Sequence, residues 1–411
     1  MTRAARRSSL VSGAATTAPV RLSHVDAAAA TRIPTHIVNL DEMLGGGIVP
    51  GSITLLAGTP GIGKSTLALR ILDALAQDLP VLYCCAEESA AQTKMRAERL
   101  GASDAIYLVT ATDVAHVIAA AQSVRPALLV VDSIQSVALA DVDGAPGSVT
   151  QVRECALALT RFAKESGCAV ALVGHVTKDG AIAGPKTLEH LVDTVLYFEG
   201  ERLGVHRVLR ATKHRFGATD DVCVFSMEEG GLREVRDPSH VFIEQRPSAA
   251  PGSVVVATMQ GARPLLVEIQ SLVSSAGYGT PRRLVSGLDY NRVCMIVAVL
   301  ERRLGLRLGE SDVYASAVGG IRVVEPACDV AVALAVTSAF RNRPIGDDVV
   351  CFGEVGLAGE IRSVGSAQRR LSEAAKLGFK RAIVPASATG ATQMQCVPVS
   401  TLAQAVAAAL E

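Results

Sequence analysis

"ITLLAGTPGIGKSTLALRILDALA", residues 53–76, decides the fold of the first half of this chain. Residues 53–57 read as a short apolar strand, and the run from Ser65 onward spaces Leu and Ile as a helix does. Between them, "GTPGIGKST" fits G-x-x-x-x-G-K-[ST], and a strand before and a helix after are the context that a phosphate-binding P-loop needs. Glycines there let backbone N–H groups wrap phosphates, and the helix start adds partial positive charge. The expected ATP contacts are Gly58, Thr59, Pro60, Gly61, Ile62, Gly63, Lys64, Ser65 and Thr66. Lys64 is expected to reach the β- and γ-phosphates, and the Ser65 hydroxyl to ligate Mg²⁺.

Working outward, "VLYCCAEE", "AIYLVTAT", "ALLVVDS", "CAVALVGHV", "DTVLYFEG" and "HRVLRATKH" read as further strands, alternating with helical runs. That alternation predicts a mainly parallel sheet covered on both faces. "ALLVVDS" delivers Asp132 to the carboxyl edge of the sheet, where the Mg²⁺ would sit. "VLYCCAEE" ends in Glu87 and Glu88. Either glutamate is placed to orient the attacking water, or both are surface carboxylates at a helix start. "CAVALVGH" brings His175 to a strand tip where it can sense the γ-phosphate, ahead of a glycine-bearing loop with Lys178 and Lys186 that either carries that signal to a ligand or is an ordinary surface loop with two solvated lysines.

The bulk properties set limits. The 411 residues suffice for two or three domains, and 40 basic against 40 acidic residues cancel, so nucleic-acid binding must come from local patches. No apolar run approaches membrane-spanning length and no signal-peptide core is evident, so a cytoplasmic protein without a membrane partner is expected. The nine cysteines include no C-x-x-C pair, and no zinc is expected. The division reads as a basic, Ala-rich arm over 1–36, an ATPase domain over 37–243, a linker over 244–253 and a second α/β domain over 254–411.

One cluster asks for a partner. In "LRATKHRFGATDD", residues 209–221, Lys213 and Arg215 are two apart on a strand and point the same way. A solvated strand end is the plain explanation; an anion brought by another chain is the pointed one.

The P-loop, "AEESAAQTKMRAERLG", "VVDSIQS", "VGHVTKDGAIAGPKTLEHLVDT", "KHRFG" and "FGEVGLAGEIRSV" together resemble the RadA (Sms) family of bacterial recombination and repair ATPases, nearly end to end from about residue 37. The resemblance implies a RecA-like P-loop ATPase core followed by a Lon-protease-like α/β domain. It further implies a homo-hexameric ring on single-stranded and branched DNA, a helicase or translocase promoting branch migration with the RecA recombinase. "KHRFG" (Lys213, His214, Arg215, Phe216, Gly217) stands where the family has K-N-R-F-G. It looks like a Lys-x-Arg finger reaching a neighbour's γ-phosphate, with His214 replacing the family's asparagine. Lys178 and Lys186 correspond to the DNA-facing loop. Arg282 and Arg283 are further DNA contacts by this reading, or simply a solvated pair. Aligned to the Lon-type dyad, Ala327 stands at the nucleophile's place and Gln368 at the lysine's, so no proteolysis is expected. The family usually opens with a four-cysteine zinc finger, and here no cysteine precedes Cys84. Two other classes remain in view: a RecA-like ATPase acting on protein, such as an autokinase, and, more distantly, an ATP-dependent protease.

Overall fold

The computed structural model describes residues 21, 31–175, 185–200, 206–217, 219, 222–261, 263–276, 280–388 and 393–410. The calls on Lys178 and on most of the 1–36 arm therefore lie outside the described residues.

Six strands run parallel in the first sheet: β1 (Ile53–Gly58), β2 (Val81–Cys85), β3 (Tyr107–Val109), β4 (Leu128–Asp132), β5 (Ala169–His175) and β6 (Thr194–Glu199). Three more continue it antiparallel: β7 (His206–His214), β8 (Val222–Glu228) and β9 (Gly231–Glu234). The order is β3-β2-β4-β5-β1-β6-β7-β8-β9, which puts β1 in the interior of the sheet. The antiparallel edge of this mainly parallel sheet has a simple reason. Only residues 200–205 separate β6 from β7, too few for the dozen or so that a parallel crossover needs. The residues of β8 and β9 escaped the strand reading altogether.

Seven helices accompany this sheet among the described residues: α1 (Val38–Met43), α2 (Lys64–Leu75), α3 (Ala90–Arg99), α4 (Val114–Val124), α5 (Val149–Ser166), α6 (Pro185–Leu191) and α7 (Pro238–Ile243). Alternate residues of β1 feed two cores. Ile53, Leu55 and Ala57 pack with Val117, Leu159 and Leu188 of α4, α5 and α6, whereas Leu56 joins Leu40 of α1 and Leu67 of α2. A strand buried on both faces is why "ITLLAG" is continuously apolar apart from its threonine. Residues 31–36, inside the expected arm, are docked: Ile33 and Ile48 exchange backbone bonds of 2.8 Å, and the Arg32 guanidinium donates to the Phe216 carbonyl at 2.7 Å.

The second sheet contains β10 (Ser253–Gln260), β11 (Arg263–Ser275), β12 (Arg283–Ser286), β13 (Ser311–Ala317), β14 (Val349–Cys351), and, after a ribbon of β15 (Glu354–Val355) and β16 (Ile361–Arg362), β17 (Arg381–Pro385) and β18 (Gln395–Val399). Its order is β12-β13-β11-β10-β14-β17-β18, mixed in direction. Helices α8 (Tyr290–Leu304), α9 (Asp329–Arg341), α10 (Ala367–Lys376) and α11 (Leu402–Leu410) complete this α/β unit. The chain is thus an α/β P-loop core followed by a second α/β layer. One apolar cluster runs from Val208 and Val224 of the first sheet, through Phe242 of α7, to Val256 of the second sheet and Leu334 of α9. Arg210 also donates to Gln260 at 2.8 Å, and Arg263 to Asn39 at 2.8 Å. The 244–253 stretch is fastened as well: Ala249 N donates to Asp347 Oδ1 at 3.2 Å, and Arg246 Nε to Ser253 Oγ at 2.8 Å. No helix among the described residues is long and apolar enough to cross a membrane.

Candidate active site

β1 ends at Gly58, and the chain turns through Gly63 (φ +115°) directly into α2. That φ is left-handed territory that a side chain resists. At Gly58 a Cβ would lie 2.6 Å from the Phe198 carbonyl oxygen, so glycine is needed there for space. No side chain caps α2. Its first amides have no partner within the helix and face a cavity of about 390 Å³. Pro60, Gly61, Gly63, Lys64, Ser65 and Thr66 line that cavity together with Tyr83, Glu87, Glu88, Arg96, Asp132 and His175.

Lys64 is buried, and its Nζ donates to the carbonyls of Gly58 (2.8 Å) and Thr59 (3.0 Å) and to His175 Nδ1 (3.1 Å). Burial lowers its pKa to about 8, against the raising influence of Asp132 and Glu87. Because the ammonium can only donate, His175 accepts at Nδ1, and its Nε2–H donates to Glu87 Oε1 at 3.1 Å. Ser136 also donates to that oxygen at 3.1 Å, as does Ser133 at closer range. The His175 bond, supported by both serines and opposed by partial burial, holds the Glu87 carboxyl at about 2. Glu88 takes a different partner, the Arg96 guanidinium on α3. The geometry thus separates two glutamates that sequence reasoning left level: Glu87 joins the lysine–histidine chain, and Glu88 pairs with a helix.

Asp132 closes β4 with its carboxylate buried, and the Tyr83 hydroxyl donates to its Oδ2 at 2.5 Å. Burial, reinforced by the Asp132 charge, pushes the Tyr83 phenol far above its usual range, so it remains a donor. Ser65 and Asp132 supply the hard oxygen donors that suit Mg²⁺. Tyr83, Ser133, Ser136 and Arg96 were missed from sequence. A tyrosine inside a buried strand, whose hydroxyl needs a partner, was the available signal for the first.

The "KHRFG" cluster lies at the other edge of the sheet. Register places Gly58 beside Phe198 of β6, and Thr54 beside Thr194, which pairs with His214. Four residues of strand, about 13 Å, separate these levels. Lys213 Nζ donates to the carbonyls of Glu189 (2.5 Å) and Val192 (2.7 Å), closing the end of α6. Burial and then the Arg215 charge lower its pKa. Arg215 pairs with Asp193 at 3.0 Å, and its side chain remains 52% exposed. His214, the departure from the family's asparagine, is buried against Thr194 Oγ1 (3.0 Å) and the Leu44 carbonyl (3.4 Å), and burial lowers its pKa. Phe216 is exposed, and at Gly217 a Cβ would lie 2.6 Å from the His214 ring.

In the second unit Ala327 is buried in the 3₁₀ turn Pro326–Cys328, and Gln368 sits in the first turn of α10. The two elements are joined by a bidentate pair: Arg370 donates to Glu325 Oε1 at 2.7 Å and to Oε2 at 2.9 Å. Arg283 donates to the carbonyls of Ser311 (2.5 Å), Leu308 (2.9 Å) and Arg282 (3.0 Å), which occupies a guanidinium read as a DNA contact; Arg282 itself is exposed. Lys186 falls on α6, with its side chain outside the described residues.

A family model described as an AAA domain matches residues 16–181, and another, described as subunit ChlI of Mg-chelatase, matches residues 318–388. The chain is 50% identical over 382 residues to the DNA repair protein RadA of Halalkalibacterium halodurans, covering 92% of this chain and 83% of that protein. Identity is 49% over 394 residues with the Pseudomonas aeruginosa protein of that name (95% and 87% covered). It is 46% over 391 residues with the Streptococcus pneumoniae one (94% and 93% covered).

Proposed function

Because the chain belongs to the RadA family of DNA repair proteins, we propose that it is a DNA-dependent ATPase whose hexameric ring moves along single-stranded DNA. In recombinational repair the ring would drive branch migration together with the RecA recombinase. One observation carries this reading. The P-loop and the Lys213–Arg215 pair occupy opposite edges of one sheet, so these cations lie beyond reach of their own chain's nucleotide. A second copy, set edge to edge, is what they are placed to meet.

In this reading the loop 58–63 and Lys64 hold the phosphates, and Ser65 with Asp132 would hold Mg²⁺. The metal, when bound, offsets the charge on the phosphate oxygens. Held low by the His175 and serine hydrogen bonds, the Glu87 carboxyl is ionised at neutral pH. A carboxylate with so low a pKa is a weak proton acceptor, so its part is to orient the attacking water. His175 links that water to the lysine at the phosphates, and its strand leads toward residues 176–188, the segment proposed to face DNA. Arg215 of the neighbour supplies the charge that completes the site, a contribution worth about 10³–10⁵ in rate for such fingers. The second unit acts as an assembly and DNA-binding scaffold without proteolysis, since Ala327 has no hydroxyl and Gln368 no amine.

The test is extension of a fork or D-loop with ATP, run beside Lys64→Ala and Arg215→Ala. Arg215→Ala is expected to keep nucleotide binding while losing DNA-stimulated turnover about 10³-fold. Turnover indifferent to single-stranded DNA would sink the motor and favour a protein-directed ATPase.

A further inference from the structure

We propose that Asp193 aims Arg215, a positioning role that rests on the reading above and deepens it. Asp193 stands where α6, β1 and β7 meet, and each of its four polar groups is engaged. Its N–H donates to the Ile53 carbonyl at 2.9 Å, and its Oδ2 accepts from the Ile53 N–H at 3.1 Å. Its carbonyl accepts from the Arg215 N–H at 3.1 Å, and its Oδ1 accepts from Arg215 Nη1 at 3.0 Å.

The burial is lopsided. The Asp193 side chain is 8% exposed and the Arg215 side chain 52%. A guanidinium carries five N–H donors in one rigid plane. Fixing one edge of that plane on a buried carboxylate sets the direction of the others and removes rotamer freedom before any partner arrives. Lys213 differs: two of its donors close the end of α6 on Glu189 and Val192. Of the two cations, Arg215 is therefore the one presented outward. Because Asp193 also grips the first residue of β1, that presentation is referenced to the strand that ends in the P-loop.

Asp193→Asn preserves size and turns one accepting oxygen into an NH₂ group, which cannot accept. The expected result is a fall of about 10–100-fold in kcat for DNA-stimulated ATP hydrolysis, the scale of a misplaced catalytic group. KM for ATP and the affinity for a fluorescent ATP analogue should stay within about 2-fold. The double variant Asp193→Asn/Arg215→Ala should be no slower than Arg215→Ala alone, since both changes act through one group. Mixed assemblies supply the decisive arm. Asp193→Asn chains keep a sound P-loop, and Lys64→Ala chains keep a sound arginine, so mixing the two should restore turnover, as should mixing Arg215→Ala with Lys64→Ala. Rescue by the second mixture but not the first would overturn the positioning role and leave the shared site intact. Failure of both mixtures would remove the shared site itself. An additive double variant, or loss of analogue binding in Asp193→Asn, would mean a merely structural aspartate. Should Asp193→Asn not fold, Asp193→Glu carries the same measurements, because it keeps the charge and displaces it by one methylene.

Discussion

Two pairings of cation with carboxylate sit in this chain, and they are put to opposite uses. In the first unit Lys64, His175 and Glu87 form a chain along one wall of a cavity, with the Glu87 side chain 41% exposed. In the second unit Arg370 is 2% exposed, and Glu325 also accepts from Thr258 Oγ1 (2.7 Å) and the Met259 N–H (2.6 Å). Burial alone would raise the Glu325 pKa, but the Arg370 bonds hold it below the usual value. The lesson is about access. Open to a cavity, such a chain can exchange a partner for a ligand; with the guanidinium buried and both carboxylate oxygens engaged, the other pair joins two elements.

Four experiments bear on that contrast. Arg370→Ala leaves the part-buried Glu325 without its charged partner and should cost about 1.5–3 kcal/mol in urea unfolding of the second unit. Replacing both, as Glu325→Leu/Arg370→Met, should recover only part of that loss, because no charge is left unpaired but Thr258 Oγ1 and the Met259 N–H lose their acceptor. A double variant as unstable as the single would show that the sealed pair does more than fasten.

Glu87→Gln should lower kcat about 100-fold with ATP affinity unchanged, read by stopped-flow phosphate release. Its effect on stability should be full at neutral pH and disappear in acid. A carboxyl whose folded pKa is depressed contributes stability above its unfolded pKa of 4.5, and that contribution is lost as pH falls toward about 2.

Nucleotide affinity should respond to alkali more gently. With the Lys64 pKa near 8 in the empty site, phosphate binding must take up a proton as pH rises past that value. Titrations at pH 7, 8 and 9 should show affinity flat at first and then falling, by at most about tenfold per unit. Lys64→Arg should remove the decline. The smallest effect is expected for Glu88→Gln, within about 3-fold in kcat, because its surface pair with Arg96 is worth little. An effect as large as that of Glu87→Gln would undo the distinction between the two.

Much of the first unit was legible because its signals are local. A P-loop announces itself through glycines at fixed offsets, and a continuously apolar strand such as "ALLVVD" can only lie inside a covered sheet. The choice between Glu87 and Glu88 was not legible. Both end the same strand, and what separates them is a histidine 88 residues away in sequence from Glu87. The antiparallel edge was hidden for the same reason, since β8 declares itself only by pairing with β7. Asp193 left a faint trace, a charge set directly before the apolar run "TVLYF". Its meaning depends on Ile53 and Arg215, which only the sheet brings together. Arg283 shows the converse: a basic pair in sequence looks free until the distant carbonyls of Leu308 and Ser311 are seen to engage one member.

β1 is six residues long and bonded along its length to β5 on one flank and β6 on the other. A strand clamped in this way neither stretches nor buckles at low cost, since either would break ladder bonds on both sides. A small shift imposed at its glycine end therefore arrives at the Ile53 end as an equal shift, as motion does along a push-rod. Under the shared site proposed above, a shift at the phosphates would reach the grip of Asp193 on Ile53.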